Sequence, residues 1–426
     1  MTTQGDDPSS DPVARTSRLG SLPVIGHVLG NPYLRHRDFV TLCSSSIFSR
    51  MGMSGEQVII GILIYEITNS SVWVGIALAL YYLPMLVFGL VSGVMADWMD
   101  RRVLIRRVEL AVFINLIIFA ALTALSPGTL WLVITFAVVS ASIRDSAYAA
   151  KMSYTYDLVG GQNVVAGLSL LNLSTRVGQL VGSLLAGTIV HLYGAPIAIL
   201  SLAVSSVVAY ILLKRLRSAG QRKTLEHVPI LHNLKECFSE MRTNTVLFML
   251  IIITGVVEMF GFSFTTVLPE LATDQFDVGA EGLGQMHAAR AIGGIIAALI
   301  LTTFVGQDRR GAIFLSVIVA FGAALVLFST ADQFIWALVI LVLVAGVASA
   351  SDVLTQSMMQ LSVPDHLRGR AMGIWLFAIG WAPVGHLEMG AIAEAFGVDT
   401  ALMVNGLALI AVGIIAAIAV PRLRKL

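Results

Sequence analysis

The chain is a succession of long apolar runs separated by short polar breaks. Such a run forms a helix that can cross the hydrocarbon core of a bilayer, about 30 Å thick, when it holds roughly 20 residues. The pattern therefore predicts an all-α membrane protein with twelve transmembrane helices. The runs fall at 39–64, 71–95, 104–125, 130–152, 163–190, 195–213, 245–268, 283–305, 312–329, 335–361, 371–392 and 400–420.

Composition agrees with a membrane location. Hydrophobic residues make up 57% of the 426 residues and charged residues only 12%, and the mean hydropathy is +0.85. An ordinary soluble domain carries about twice that fraction of charge. We therefore expect the lipid bilayer as a partner and no nucleic acid.

The apolar runs divide into two groups of six, on either side of the longest polar connector. We interpret 1–37 as a disordered cytoplasmic tail, 38–213 as an N-terminal six-helix bundle, 214–244 as a cytoplasmic linker, 245–420 as a C-terminal six-helix bundle and 421–426 as a cytoplasmic terminus. Two parallel repeats with a substrate site between them are a known transporter construction.

The charges support both the repeat and its orientation. If the spans alternate in direction, all but four of the 27 Lys and Arg residues fall in segments on one side of the membrane, and the other four lie inside spans. The charged residues of the loops on the other side are all acidic. Lys and Arg favour cytoplasmic loops, so both termini are predicted to be cytoplasmic. Charged residues also recur between the halves at an offset of 207 or 208 positions, as with Asp145 and Asp352 or Asp157 and Asp365.

The segment GVMADWMDRR, residues 93–102, follows the second apolar run. Its Gly93, Asp97, Arg101 and Arg102 resemble the loop 2-3 signature of the major facilitator superfamily, whereas Trp98 and Asp100 depart from that pattern. The resemblance implies two six-helix pseudo-repeats and an inner gate at this loop that breaks during alternating access. A role in topology alone is the other interpretation. The candidate gate partners are Asp157, Arg309, Arg310, Asp365, Arg368 and Arg370.

Longer stretches resemble one branch of that superfamily, the third drug:proton antiporter group. Among them are YEITNSSVWVGIALALYYLP at 65–84 and QSMMQLSVPDHLRGRAMGIW at 356–375. The resemblance implies a monomeric exporter of a small amphipathic compound, either a siderophore-type metabolite or a drug. It would work in the bacterial plasma (inner) membrane with the proton gradient as energy source and no cofactor. A proton-coupled importer and a transport-inactive sensor or scaffold are the alternatives.

Charged side chains inside the spans are candidates for proton coupling, because they are costly in the bilayer and usually face a cavity or a partner. The repeat offset places Glu258 of the seventh span opposite Arg50 of the first, so this pair is the leading candidate. A permanent salt bridge between the halves is an equally weighted interpretation. Arg144, Asp145 and Asp352 are further candidates, with Arg144 packed against Asp352 as one alternative.

Other polar and aromatic residues of the spans are candidates for the substrate cavity. They are Glu56, Arg176, Arg290, Tyr82, Phe262, Trp375 and Glu388. Gly178, Gly182 and Gly187 near Arg176 indicate close helix contact first, since small residues let membrane helices approach.

The sequence lacks the common catalytic motifs. It has no phosphate-binding P-loop, no zinc-protease motif and no nucleophile elbow, and its two cysteines, Cys43 and Cys237, match no metal spacing. We therefore predict a protein that is not an enzyme and has no metal site.

Overall fold

The computed structural model describes residues 36–160, 164–218, 245–301, 310–362, 375 and 378–419. The predicted N-terminal tail up to residue 35, most of the linker 214–244 and the C-terminal residues 421–426 lie outside them. The helices are α1 (Arg37–Thr68), α2 (Ser71–Trp98), α3 (Arg101–Leu125), α4 (Leu130–Asp145), α5 (Tyr148–Val159), α6 (Val164–Tyr193), α7 (Ala195–Lys214), α8 (Thr245–Val256), α9 (Gly279–Leu301), α10 (Arg310–Phe328), α11 (Phe334–Leu361), α12 (Ala382–Phe396) and α13 (Val398–Ala419).

Ten spans in the described part of the chain are long and apolar enough to cross a membrane. The prediction of an all-α protein that crosses the bilayer many times is therefore confirmed. Helix α2 is a further apolar helix, and α12 falls in the eleventh apolar run. The full number of twelve spans stays a prediction.

Local chemistry explains several helix boundaries. Asp100, which precedes α3, accepts a hydrogen bond from the backbone N–H of Arg102 at 2.9 Å and so caps that helix. Gly194 and Gly397 are single residues between consecutive helices, with φ of 81° and 88°. Glycine adopts this left-handed conformation without strain. The chain can thus reverse direction in one residue at equivalent places in the two halves.

Two predicted spans are not regular helices. The fourth ends at Asp145 and resumes at Tyr148, where the Ser146 hydroxyl donates to the carbonyl of Ile143 at 2.6 Å. Such side-chain bonds compete with helical ones. The seventh is an α-helix only to Val256, then π-helical over Val257–Gly261, 3-10 over Phe262–Thr266, α-helical for one turn (Leu268–Glu270) and π-helical over Leu271–Gln275. Both segments are nevertheless single apolar spans, Leu130–Val159 and Leu247–Gln275, as the sequence predicted.

Helix packing follows the two halves of the sequence. Within the first half α1 packs against α6 and α7, and α3 against α7; within the second, α9 packs against α11 and α10 against α13. The main contacts between the halves are α2 with α12 and α6 with α9. Counted by membrane span, each contact joins the second span of one half to the fifth span of the other, which is the arrangement expected of two facing repeats. The predicted domain boundaries themselves stay predictions.

Glycines allow the closest of these helix approaches. A Cβ on Gly178 would lie 2.2 Å from the carbonyl oxygen of Ile47, and one on Gly182 would lie 2.2 Å from that of Met51. A Cβ on Gly187 would lie 2.9 Å from the Cα of Gly284 in α9. The expectation that the three glycines of α6 mediate close helix contact is confirmed.

Candidate transport site

One end of the helical bundle is held by hydroxyl–carboxylate hydrogen bonds between the halves. We call it the carboxylate-rich end; it comprises Tyr65, Ser70, Ser71, Glu270, Asp274 and Glu394. Each hydroxyl belongs to the first half and each carboxylate to the second. Tyr65 donates to Asp274 Oδ2 at 2.7 Å, Ser70 donates to Glu394 Oε2 at 2.5 Å, and Ser71 donates to Glu270 Oε2.

The opposite end carries the loop 2-3 residues, and we call it the arginine-rich end. Arg101 Nη1 lies 2.7 Å from Asp157 Oδ2, and the two side chains are only 6% and 8% exposed. Nη1 contacts both carboxylate oxygens of Asp157, and the pair joins α3 to α5, both in the first half. The sequence analysis predicted that Arg101 and Asp157 belong together, but as part of a contact between the two halves.

The structure does not describe the side chains of the remaining gate candidates. Gly93 and Asp97 belong to α2 and Arg310 begins α10, but their side chains are outside the described part of the chain. Arg309, Asp365, Arg368 and Arg370 lie outside the described residues altogether. The gate at loop 2-3 therefore stays a prediction.

The start of the linker is bound to the first half at this same end. Asp38 Oδ2 accepts from the backbone N–H groups of Arg217 and Ser218 at 3.1 and 2.7 Å. Tyr154 donates to the carbonyl of Ser218 at 2.8 Å, and Arg102 Nη1 donates to that of Arg217 at 3.0 Å. Side chains from α1, α3 and α5 thus hold the backbone where the linker begins.

Between the two ends, Glu56 of α1 forms an ion pair with Arg144 of α4. Arg144 Nη2 lies 2.6 Å from Glu56 Oε2, and the side chains of Arg144 and Glu56 are 9% and 1% exposed. The second oxygen of Glu56, the Nε of Arg144 and the hydroxyl of nearby Tyr81 are buried and have no hydrogen-bond partner among the described residues. Arg144 therefore pairs within its own half and not with Asp352, as one interpretation of the sequence had it.

The leading coupling pair of the sequence analysis is not formed. Among the described residues, Arg50 and Glu258 share no ion pair: Arg50 Nη1 contacts Met53 Sδ at 3.2 Å, and Glu258, only 8% exposed, has Asp352 as its electrostatic neighbour. The repeat offset predicts a similar depth for the two residues but does not fix how each helix is rotated about its axis. Glu258 is the second residue of the π-helical segment Val257–Gly261, where the helix is irregular.

Two further arginines of the spans make only neutral contacts. Arg176 of α6 lies 3.4 Å from both Gln179 Oε1 and Ser349 Oγ. Arg290 of α9 lies 3.0 Å from His287 Nδ1, and its guanidinium is 5.3 Å from the ring centroid of Phe264. Both were predicted as cavity candidates.

A ring stack bridges the halves between the centre and the carboxylate-rich end. Tyr82 of α2 stacks on His386 of α12 with centroids 5.2 Å apart and planes 6° apart. His386 Nδ1 lies 2.8 Å from the hydroxyl of Thr266. His386 was not among the predicted site residues, although a histidine inside an apolar run was the available signal.

The other cavity candidates lie within the second half. Phe262 packs edge-on against Phe321 at 5.7 Å, and Trp375 is 8% exposed. Glu388 accepts from Asn405 Nδ2 at 3.2 Å.

Asp145, the last residue of α4, is an electrostatic neighbour of Arg144. In the described part of the chain, no three His, Cys, Asp or Glu side chains are placed to hold a metal ion.

Comparison with known proteins settles the family. The model of the Major Facilitator Superfamily matches residues 42–384. The chain belongs to this superfamily. It is a transporter of a small-molecule substrate and a multi-pass membrane protein, and it is not an enzyme. Members of the superfamily generally need no cofactor.

Curated relatives cover most of the chain. The staphyloferrin A transporter of Staphylococcus aureus (strain NCTC 8325 / PS 47) is 23% identical over 373 residues, which are 87% of this chain and 93% of the relative. The enterobactin exporter EntS of Shigella flexneri is 26% identical over 375 residues, 85% of this chain and 88% of the relative.

Solved structures agree on the fold. The nucleoside transporter NupG matches with a TM-score of 0.72 at 13% identity, covering 90% of this chain and 98% of that one. The peptide transporter POT in complex with sulfate matches with a TM-score of 0.73 at 12% identity, covering 91% and 95%. At this identity the likeness concerns the fold alone.

Proposed function

We propose that the protein is a proton-driven exporter of a small amphipathic compound of the siderophore type. It works by alternating access in the bacterial plasma (inner) membrane, as a monomer, with both termini in the cytoplasm. Support for the substrate class comes from the two relatives, whose names concern siderophores and which align over 85–87% of the chain. Support for the orientation comes from the one-sided Lys and Arg residues.

In this orientation the carboxylate-rich end is the outer gate. Its three hydroxyl–carboxylate bonds join the halves and must break for the outer mouth to open. The polar contacts described at the arginine-rich end join segments of the first half. The arrangement supports a conformation closed to the outside, with the loop 2-3 residues at the inner mouth.

The observation that carries proton coupling is the Glu56–Arg144 pair. Glu56 is a carboxylate buried within the spans, its charge is balanced by one arginine, and its second oxygen has no hydrogen-bond partner. Protonation of Glu56 removes that balance and leaves Arg144 with an uncompensated charge, which favours rearrangement of α1 against α4. Glu258 and Asp352, which are electrostatic neighbours, are a second place where a proton can be held.

Everted membrane vesicles test the function directly. We expect an acid-inside gradient to drive uptake of a fluorescently labelled, metal-free siderophore, and an uncoupler to abolish it. Uptake that persists after the uncoupler refutes proton-driven export. Uptake only into right-side-out vesicles supports the importer instead, and no gradient-dependent movement in either direction supports the sensor or scaffold.

The coupling residue is tested by Glu56→Gln, which keeps the shape of the side chain and removes its charge. We expect the variant to lose uptake against a gradient while it still exchanges labelled for unlabelled siderophore, because exchange needs no net proton movement. Glu66→Gln is the matched control, since Glu66 lies on the same helix and is exposed. Full gradient-driven uptake by Glu56→Gln would remove Glu56 from the mechanism.

A further inference from the structure

Three arginines of the membrane-spanning helices lack a carboxylate partner. We call Arg50 of α1, Arg176 of α6 and Arg290 of α9 the three-arginine site. None forms an ion pair with a carboxylate of the described residues, whereas Arg144 is paired with Glu56 at 2.6 Å. Charge that no opposite charge balances is costly within the spans, so arginines without a carboxylate partner among the described residues point to an anionic ligand.

Helix packing brings the three helices that carry these arginines together. A Cβ on Gly294 would lie 2.9 Å from the Cζ of Arg176, and Gly294 is about one helical turn after Arg290 on α9. A Cβ on Gly178 would lie 3.1 Å from the Cβ of Arg50, so α1 packs directly against α6 close to Arg176. The guanidinium groups are also electrostatic neighbours of one another. The site is thus built from both halves of the protein.

The polar contacts of the three guanidinium groups are neutral and leave donors free. They are Met53 Sδ at 3.2 Å for Arg50, Gln179 Oε1 and Ser349 Oγ at 3.4 Å for Arg176, and His287 Nδ1 at 3.0 Å for Arg290. A guanidinium carries five N–H donors in a planar fork that matches a carboxylate. Each of the three side chains is half-buried, so the donors are within the protein but reachable.

Nearby acids do not neutralise the site. Asp352, an electrostatic neighbour of Arg176, accepts from Gln356 Nε2 at 3.2 Å. Glu258 is a neighbour of Asp352 and of Tyr82. Neither carboxylate comes within ion-pair distance of the three guanidinium groups among the described residues. Three cations against two acids leave a net positive charge even when both acids are ionised.

We propose that the three-arginine site binds a multiply charged anionic substrate, with carboxylate-type groups shared between the two halves. This inference rests on the proposed function, because the bound anion is the compound that the transporter moves. Charge-assisted, bidentate bonds to Arg50 and Arg176 on one side and to Arg290 on the other hold the anion between the halves. Tyr82, an electrostatic neighbour of Arg50 and Arg290, lies where its hydroxyl can add a neutral donor.

The test uses citrate as a probe with three carboxylates, and its trimethyl ester as a neutral molecule of the same shape. Binding to the purified full-length protein in nanodiscs is measured by titration calorimetry at low salt. We expect citrate to bind and the ester to bind at least tenfold more weakly. Equal affinity of citrate and the ester overturns the proposal, and this measurement needs no variant.

Arginine variants then locate the site. Arg176→Gln and Arg290→Gln should each weaken citrate binding about tenfold or more, and the corresponding Lys variants should recover part of the loss. Arg215→Gln is the control, since Arg215 is exposed and lies outside the spans. Citrate affinity equal to that of the parent in both Gln variants, with monodisperse protein, overturns the assignment.

The two proposals fail in different ways. Arginine-dependent citrate binding without gradient-driven siderophore transport refutes the proposed function and supports the site. Gradient-driven transport that is unchanged in Arg176→Gln and Arg290→Gln refutes the site and supports the function.

Discussion

The two ends of the helical bundle are held by different chemistry. At the carboxylate-rich end, hydroxyls of the first half donate to carboxylates of the second, and two of those carboxylates, Asp274 and Glu394, are exposed. At the arginine-rich end, the described contacts include an ion pair, Arg101 with Asp157, that is more than nine-tenths buried.

The two sets of contacts differ in how easily they can separate during transport. A hydrogen bond from a neutral donor to an ionised carboxylate contributes about 1.5–3 kcal/mol, and less where water competes for an exposed carboxylate, so it can break and form again in each cycle. A buried ion pair is costly to separate and suits a contact that stays formed. We therefore expect the carboxylate-rich end to open during transport and the Arg101–Asp157 pair to keep α3 and α5 together throughout.

The largest expected effect comes from preventing the carboxylate-rich end from opening. Ser71→Cys with Glu270→Cys, in a background of Cys43→Ala and Cys237→Ala, is joined by a short cleavable bifunctional maleimide. Transport should fall at least tenfold and return when the linker is cleaved, because the halves can no longer separate there. The same reagent on the cysteine-free background is the control. Transport at the full rate with the cross-link in place would mean that this end is not a gate.

The next effect is on stability at the arginine-rich end. Arg101→Ala breaks the buried ion pair with Asp157 and should lower the free energy of unfolding by about 3–5 kcal/mol. Arg102→Ala should cost far less, because the Arg102 side chain is 23% exposed and pairs with Asp100 at 3.2 Å. Unfolding in detergent micelles, followed by circular dichroism, measures both. Equal losses in the two variants would contradict the structural role of the Arg101–Asp157 pair.

A smaller effect is expected from one hydroxyl of the carboxylate-rich end. Tyr65→Phe removes the donor to Asp274 and should favour the open outer gate by about 1 kcal/mol, a roughly fivefold shift. A cysteine introduced by Phe262→Cys reports the shift as faster labelling by a membrane-impermeant maleimide added outside. Thr330→Val is the control, because the Thr330 hydroxyl bonds to Leu327 in its own half. Unchanged labelling in Tyr65→Phe argues against a gating role for that bond.

The smallest effect concerns the linker. Asp38→Ala removes the acceptor of two backbone N–H groups at 217 and 218, so local opening there should become more frequent. Tryptic cleavage after Arg215 or Arg217 should speed up about threefold, while transport changes little. Thr41→Val on the same helix is the control, since Thr41 bonds only to Arg37. No change in cleavage would mean that other contacts alone hold this segment.

Much of the fold was predictable because it depends on local composition. A run of apolar residues crosses a bilayer whatever it packs against, and the ten spans in the described residues fall within the predicted runs or extend them. The residues of GVMADWMDRR were sufficient to indicate the superfamily. The ends of helices at Gly194 and Gly397 depend on a single glycine each, and glycines are visible in the sequence.

The partners of the buried charges were not predictable in the same way. The repeat offset aligned Arg50 with Glu258, but among the described residues the two side chains form no ion pair. Glu56 and Arg144 were predicted in separate groups, although they lie 2.6 Å apart. A rotation of either helix by one residue, about 100°, would separate them.

The sequence by itself determined that this chain lies in a membrane, which segments are apolar enough to cross it, and to which superfamily it belongs. Hydrophobicity and local backbone preference act over a few residues and need no partner. The tertiary structure decided which charges are paired: among the described residues Arg144 pairs with Glu56, whereas Arg50, Arg176 and Arg290 have no carboxylate within ion-pair distance. That choice depends on how each helix is rotated about its axis and on what faces it across the interface, and both are set by packing between segments far apart in the chain.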